Sequence, residues 1–141
     1  MATIKSYTDI EQSKKLAEIL GTDSADMYRV FENNAETRVY YGKMPTAYFV
    51  CKPCWSLAAL MNLLPSEFTE VGKYSKTTYK IHIRKYAFTD DVDIYQIAYG
   101  NYKFYEDGNS SWKDMINTGE KENLIDAAFD MICWLKENGK I

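Results

Sequence analysis

The sequence predicts an α+β domain in which an antiparallel β-sheet is covered, mainly on one face, by two or three helices. Three observations lead to this prediction. The end of the chain has apolar residues at helical spacing, and two central stretches alternate apolar and polar residues as half-buried strands do. Short polar segments rich in Gly, Asn and Asp separate these stretches and suit tight turns. With 141 residues, the chain is expected to be a single domain, residues 1–141, that buries its own core.

Two helices are predicted in the first half of the chain. Thr8-Asp-Ile-Glu11 has the spacing of a capping box in which Thr8 caps the helix, and Gly21 is expected to end it. A second, shorter helix is predicted over Leu57–Leu64, where Pro65 ends it. Because that helix is apolar nearly all round, we expect it to be buried.

The closing helix has the strongest helical pattern. Asn123 can cap its first turn, and Asn138-Gly139 supplies residues that tolerate the left-handed conformation at a helix end. Its apolar positions recur at spacings of three and four: Leu124, Ile125, Ala128, Phe129, Ile132 and Leu135. We expect this helix to cover an apolar sheet face formed by Tyr79, Ile81, Ile83 and Ile97.

Short β-prone stretches lie between the first two helices. Met27–Phe31 and Thr37–Tyr41 flank the polar turn Glu32–Ala35, which predicts a hairpin. Thr46–Val50 is predicted to be a third short strand.

The central hairpin carries the clearest register information. Apolar residues alternate with Lys80, His82 and Arg84 in its first strand. A three-residue loop at Thr89-Asp90-Asp91 keeps apolar residues opposite apolar ones, whereas a loop of two or four residues would oppose apolar and basic faces. The predicted pairs are Ile81 with Tyr99, Ile83 with Ile97, His82 with Ala98 and Arg84 with Gln96.

The segments around this hairpin are less sharply patterned. Residues 66–75 are predicted to be a polar connection that contains Gly72. A turn at Gly100-Asn101 is expected before a further strand over residues 101–105. The segment 112–116 is ambiguous, and a short strand is one reading of it.

Composition excludes several function classes. The net charge of −3 argues against general nucleic-acid binding, which needs a basic excess. No apolar run approaches the roughly 20 residues of a membrane span, and the first residues lack the apolar core of a signal peptide. We therefore expect a cytoplasmic location with no membrane partner. An odd count of three cysteines also fits a reducing compartment.

Cys51-Lys-Pro-Cys54 resembles a thioredoxin-type dithiol between a strand and a helix. The proline that faces the dithiol in such folds has no counterpart here after Pro65. A zinc site would need Cys51 and Cys54 with His82 and Cys133, but there is no second close pair. We expect no metal and no cofactor, and interpret the cysteines as small residues at a helix entry.

No catalytic residue is predicted. His82, the only histidine, shares its face with two cations and is more simply an outward strand residue. The cluster Asp90-Asp91-x-Asp93 is interpreted as a turn because it lacks the glycine and distal Glu of a calcium loop.

The predicted ligand-binding residues lie mainly on the outer face of the hairpin. Cations, aromatic rings and an amide on one strand face can hold a small anion, with Arg binding phosphate or carboxylate and a ring stacking on a base. The residues are Lys80, His82, Arg84, Tyr86 and Gln96, together with Trp55. The competing interpretation is an ordinary solvated strand face.

Four stretches resemble a group of short, uncharacterised proteins encoded in phages and prophages of Bacteroidota such as Bacteroides. They are Ser13–Leu20, Ser24–Met27, Pro53–Leu60 and Ile125–Gly139. The resemblance implies a phage accessory protein that acts in the cytoplasm of a bacterial host, and it brings no site residues with it. Small phage proteins of this kind often interfere with host defence.

Three functions are consistent with these sequence features. The first is a non-enzymatic counter-defence protein that sequesters a nucleotide-derived host immune signal. The second is a protein-interaction module, either a homodimer or an inhibitor of a host defence protein. The third is a thiol oxidoreductase that uses Cys51 and Cys54.

Overall fold

A computed structural model describes residues 5–45 and 50–141 of the chain, apart from the side chain of Thr37. These residues contain three α-helices and two antiparallel β-sheets, so the predicted α+β class is confirmed, with two sheets in place of the single one expected. The chain divides into two compact units, Ile4–Leu63 and Leu64–Ile141, called here the N-terminal and C-terminal units.

The N-terminal unit contains a sheet with the strand order β2-β1-β3. Its elements are α1 (Ile10–Leu20), β1 (Met27–Glu32), β2 (Ala35–Tyr41), β3 (Val50–Cys54) and α2 (Leu57–Leu63). The predicted hairpin is confirmed: Asn33 and Asn34 make its turn at φ 52° and 64°, a conformation that Asn tolerates well. Of the third predicted strand, residues 46–49 lie outside the described part of the chain, and Val50 begins β3.

Both predicted helices of this unit are present, but the capping residue of α1 and the burial of α2 differ from the prediction. Asp9, rather than Thr8, caps α1 by accepting a hydrogen bond from the Gln12 amide at 2.8 Å. Thr8 is buried instead, and its hydroxyl lies 2.7 Å from that of Ser13. The helix α2 is not buried all round, because Ala58 is exposed while Ala59 on the next position is buried.

The C-terminal unit contains a four-stranded sheet with the order β4-β5-β6-β7. Its elements are β4 (Glu67–Val71), β5 (Lys76–Thr89), β6 (Val92–Phe104), β7 (Ser110–Asn117) and α3 (Leu124–Glu137). All four predicted pairs between β5 and β6 are confirmed. The turn itself is tighter than predicted, because Thr89 pairs with Val92 and a bulge between Ala87 and Thr89 absorbs the extra residue.

Two predictions about the neighbouring segments are wrong. The polar stretch 66–75 contains β4, which pairs with β5 from Glu67–Lys80 to Val71–Lys76. No turn interrupts the chain at Gly100-Asn101, because β6 runs through it without a break. The ambiguous segment 112–116 lies within β7, which pairs with β6.

The helix α3 begins and ends where the sequence predicts. The Asn123 side chain accepts a hydrogen bond from the Asp126 amide at 2.8 Å, and Gly139 has φ 67°. The helix packs mainly on β6, where Ile97 and Tyr99 are fully buried. The expected cover over Ile83 is wrong, because that side chain is 46% exposed on the far part of β5.

Gly100 determines how β7 joins the sheet. Tyr99 pairs with Ile116 but Gly100 pairs with Asp114, so β7 bulges by one residue at this point. A Cβ added to Gly100 would overlap the Lys113 carbonyl and lie 2.9 Å from Cζ2 of Trp112. Only glycine therefore lets the backbone of β7 and the Trp112 ring approach β6 this closely.

We expect Gly100→Ala to lower the free energy of unfolding by about 2–4 kcal/mol, because the new methyl group meets backbone atoms that cannot move aside cheaply. Urea denaturation followed by tryptophan fluorescence measures this change. Gly72→Ala is the matched control, since its added Cβ meets Ser75 Oγ at 3.2 Å, the end of a small side chain. Equal stability of the two variants would contradict the role given to Gly100.

Candidate functional site

The outer face of the C-terminal sheet carries a cluster of rings. The His82 ring stacks on the Trp112 indole with centroids 3.5 Å apart and an angle of 7° between the ring planes. Tyr102 meets the same indole edge-on, with centroids 5.2 Å apart and an angle of 79°. The pairing of Tyr102 with Trp112 across β6 and β7 explains this contact.

Beside the rings, Arg84 of β5 and Asp114 of β7 form a two-point ion pair. Arg84 Nη1 donates to Asp114 Oδ2 at 2.8 Å, and Nη2 donates to the other carboxylate oxygen. Trp112 Nε1 also donates to Asp114 Oδ1, at 2.6 Å. Asp114 therefore links the guanidinium of Arg84 to the indole of Trp112, and Arg84 acts as a positioning residue for the ring cluster.

This pairing changes the acidity of Asp114. The hydrogen bond from Arg84 is the main cause, assisted by the bond from Trp112, and together they lower the pKa of Asp114 from 3.8 to about 2. The same hydrogen bond raises the pKa of the Arg84 guanidinium. The pair is therefore charged at all physiological pH values, and the Arg84 donors it uses are already engaged.

A cleft lies next to the ring cluster, with a volume of about 230 Å³. We call it the stacking cleft, and its lining residues are Thr78, Lys80, Asn101, Tyr102, Phe104 and Trp112. Tyr102 is 51% exposed and Phe104 is 78% exposed, so both offer ring surface to a ligand. Lys80 is the cation of the lining. The cleft thus combines accessible π-faces with one ammonium group, a suitable combination for a flat anionic molecule.

The predicted site residues are only partly brought together. Lys80 lines the stacking cleft, His82 is held in the ring stack, and Arg84 is engaged by Asp114. Tyr86 is exposed further along β5, and Gln96 lies opposite Arg84. Trp55 belongs to the N-terminal unit, where it is fully buried.

Trp55 has a structural environment there. Its Nε1 donates to the Ser24 hydroxyl at 3.0 Å, and its backbone amide donates to the Thr8 hydroxyl at 3.1 Å. With no exposed ring surface, Trp55 offers nothing for a ligand to stack on in this conformation.

Sequence reasoning missed the aromatic and acidic residues supplied by the last two strands: Tyr102, Phe104, Trp112 and Asp114. The alternation from Gly100 through Tyr102 to Phe104 was a usable signal, because it continues the period of two from Ala98. Because a turn was expected at Gly100, this alternation was not interpreted as one continuous strand. The sequence gives no indication that Asp114 pairs with Arg84, because Arg84 lies on β5, which is not adjacent to β7 in the sheet.

The two cysteines of the Cys51–Cys54 motif lie within β3 rather than at a helix entry. Cys51 pairs with Val30 and Cys54 with Met27, so the two side chains point to opposite faces of the sheet. Three strand residues span roughly 10 Å, which exceeds the Cα separation of about 7 Å that a disulfide tolerates. Within residues 5–45 and 50–141, no three or more His, Cys, Asp or Glu side chains are grouped to hold a metal ion.

No family model, curated protein or solved structure matches this chain. Among the described residues, no helix is both long enough and apolar enough to cross a membrane.

We expect Asp114→Asn to lower the free energy of unfolding at pH 7 by about 1–2 kcal/mol, a value discounted for partial solvent exposure. The folded-state pKa of Asp114 is depressed, so the ionised carboxylate stabilises the fold above its ordinary pKa of 3.8. That contribution is lost as the pH falls through about 2. Urea unfolding of parent and variant at pH 7 and near pH 2 should therefore show a difference that shrinks to a small part of its pH 7 value at the lower pH.

Asp93→Asn is the matched control for this measurement. Asp93 forms a more exposed pair with Lys85, at 3.1 Å, and such pairs contribute little. A difference between parent and Asp114→Asn that persists unchanged near pH 2 would show that the carboxylate charge is not the cause.

Proposed function

We propose that this protein is a non-enzymatic binding protein for a small nucleotide-derived anion, held in the stacking cleft. The observation that carries the proposal is the placing of Lys80 beside the exposed rings of Tyr102 and Phe104. A nucleobase can stack on such rings, and the ammonium group can pair with a phosphate of the same molecule.

The rigidity of the cleft wall supports this proposal. Trp112 is held by the His82 ring on one side and by the bond to Asp114 at its nitrogen. A ring that is already fixed loses little conformational entropy when a ligand stacks against it. Each base–ring stack contributes about 1–3 kcal/mol in single-stranded nucleic-acid complexes. The cleft can therefore hold a base without a deep cavity.

The resemblance to phage and prophage proteins supports a nucleotide-derived host immune signal as the natural ligand. A phage accessory protein benefits from removing a nucleotide-derived host immune signal, and sequestration needs binding alone, without turnover. We propose that this is the role of the protein in the cytoplasm of its bacterial host.

Thermal unfolding of the purified chain with a panel of cyclic mononucleotides and cyclic dinucleotides tests the proposal. A ligand that binds only the folded state raises the melting temperature, and the stabilisation grows with the logarithm of its concentration above Kd. We expect Lys80→Ala to weaken binding about three- to tenfold through loss of the phosphate contact. We expect Tyr102→Ala to weaken it by about tenfold or more through loss of stacking.

Lys113→Ala is the matched control for Lys80→Ala. Lys113 is also an exposed strand lysine of the same sheet, but it does not line the cleft. Equal losses in the two lysine variants would show a general charge effect and reject the cleft. If no nucleotide of the panel binds, mass spectrometry of molecules retained from lysate of phage-infected cells decides the matter, and recovery of no nucleotide-derived molecule would overturn the proposal.

A second candidate function is protein interaction through the far half of the β5–β6 hairpin. The pairing of β4 with β5 stops at Lys80, and the outer edge of β6 is paired by β7 and by a bridge to Lys121 only as far as Tyr95. Beyond these points the hairpin exposes Ile83 and Phe88, the latter to 64%. Strand edges of this kind, with apolar side chains, suit pairing with a second copy of the chain.

For this candidate we expect a dimer in sedimentation equilibrium that Phe88→Lys converts to monomer, because a buried apolar contact is replaced by a charge. Phe104→Lys is the control, since Phe104 is a similarly exposed ring outside the far half of the hairpin. A parent protein that is monomeric at about 100 µM, above the Kd of most stable dimers, would reject the homodimer.

A further inference from the structure

Arg29 of β1 is buried in a way that leaves two of its donor atoms without hydrogen-bond partners. The residue is 3% exposed, and its Nη2 donates to the Thr8 carbonyl oxygen. Nε forms an ion pair with a carboxylate oxygen of Glu36 at 3.9 Å, a distance too long for a hydrogen bond. In the part of the chain that the structure describes, Nε and Nη1 have no hydrogen-bond partner.

Such a group is costly to bury. A desolvated guanidinium with unused donors is unfavourable unless an anion or several acceptors compensate. Arg29 has the Tyr7 ring at 5.4 Å from its Cζ, a contact that contributes only about 1 kcal/mol. The environment of Arg29 therefore lacks one good acceptor.

A second cation lies on the neighbouring strand, directly opposite Arg29. Lys52 of β3 is its pairing partner in the register of β1 with β3, so both side chains project from the same face. Like charges directly opposite each other destabilise a strand pair. Lys52 Nζ lies 5.6 Å from the centroid of the Phe31 ring, and among the described residues no ion pair joins it to a carboxylate. An anion held between Arg29 and Lys52 would offset both positive charges.

The space for such an anion is present on this face. A pocket of about 350 Å³ lies among α1, β1 and β3, and Arg29 is one of its lining residues. Its other charged lining residues are Lys14, Lys52 and Glu18, which leaves an excess of two positive charges in a chain whose net charge is −3. Its remaining walls are mainly apolar: Ile10, Ala17, Phe31 and Pro53. The volume lies in the range of small-molecule sites.

We propose that this pocket, the Arg29 pocket, binds a small organic anion: a carboxylate or phosphonate on a compact apolar body. The anionic group is held by Arg29, Lys14 and Lys52, with the free Nη1 as one donor. The apolar body packs against Phe31 and Pro53. This site is separate from the stacking cleft, because all of its residues belong to the N-terminal unit.

The test is a titration of the full-length, ¹⁵N-labelled protein with benzoate and with phenylphosphonate, monitored by amide chemical shifts. Benzamide, the neutral analogue of benzoate, is the ligand control. We expect saturable shifts for amides of α1, β1 and β3 with one or both anions and none with benzamide. The two anions together show which acidic group the pocket prefers.

Two lysines on α1 provide a matched pair of variants. Lys14 lines the pocket, whereas its neighbour Lys15 is equally exposed but does not. We expect Lys14→Ala to weaken binding about three- to tenfold through loss of a charge-assisted contact, and Lys15→Ala to leave it unchanged. Ala17→Leu should also weaken binding, because the larger side chain fills part of the pocket.

Three results would overturn the proposal: absence of saturable shifts with both anions, equal binding of benzamide, or equal effects of Lys14→Ala and Lys15→Ala. Lys80→Ala, in the stacking cleft, should leave benzoate binding intact. A negative result for the Arg29 pocket can thus be distinguished from a negative result for the stacking cleft.

Discussion

The pairing register of β5 with β6 is the constraint on which the C-terminal unit depends. Because strand side chains alternate between faces, a slip of one residue would move every side chain of β5 to the other side of the sheet. In the observed register Ile97 and Tyr99 face α3 and are buried, while His82 and Arg84 face outward. One register therefore decides both what the helix covers and which residues can meet a ligand.

The outer face depends next on a few polar and steric contacts between strands. Asp114 accepts hydrogen bonds from Arg84 and Trp112, which joins β5 to β7 across the intervening β6. Because Gly100 has no side chain, the Trp112 ring can pack closely against β6 at this position. Together these contacts turn a basic strand face into a rigid aromatic surface. Arg84 thus positions the rings, while Lys80 is the exposed cation beside them.

The N-terminal unit presents a different chemistry on a similar scaffold. Its sheet buries Arg29 beside α1 and sets Lys52 directly opposite it, so positive charge gathers in a partly apolar pocket. A buried cation whose donors are not all paired is unfavourable for folding. The two proposed sites thus differ in kind: one combines aromatic rings with a single ammonium group, and the other combines several cations with apolar walls.

The sequence by itself determined the features that depend on local order. The caps of α3 at Asn123 and Gly139, the turn at Asn33-Asn34 and the register of β5 with β6 follow from short-range spacing, and all were predictable. Only the tertiary structure decided what Arg84 pairs with and that Trp55 is buried, because those contacts join residues far apart in the chain. Periodicity shows which face a side chain takes, but not which distant side chain meets it there.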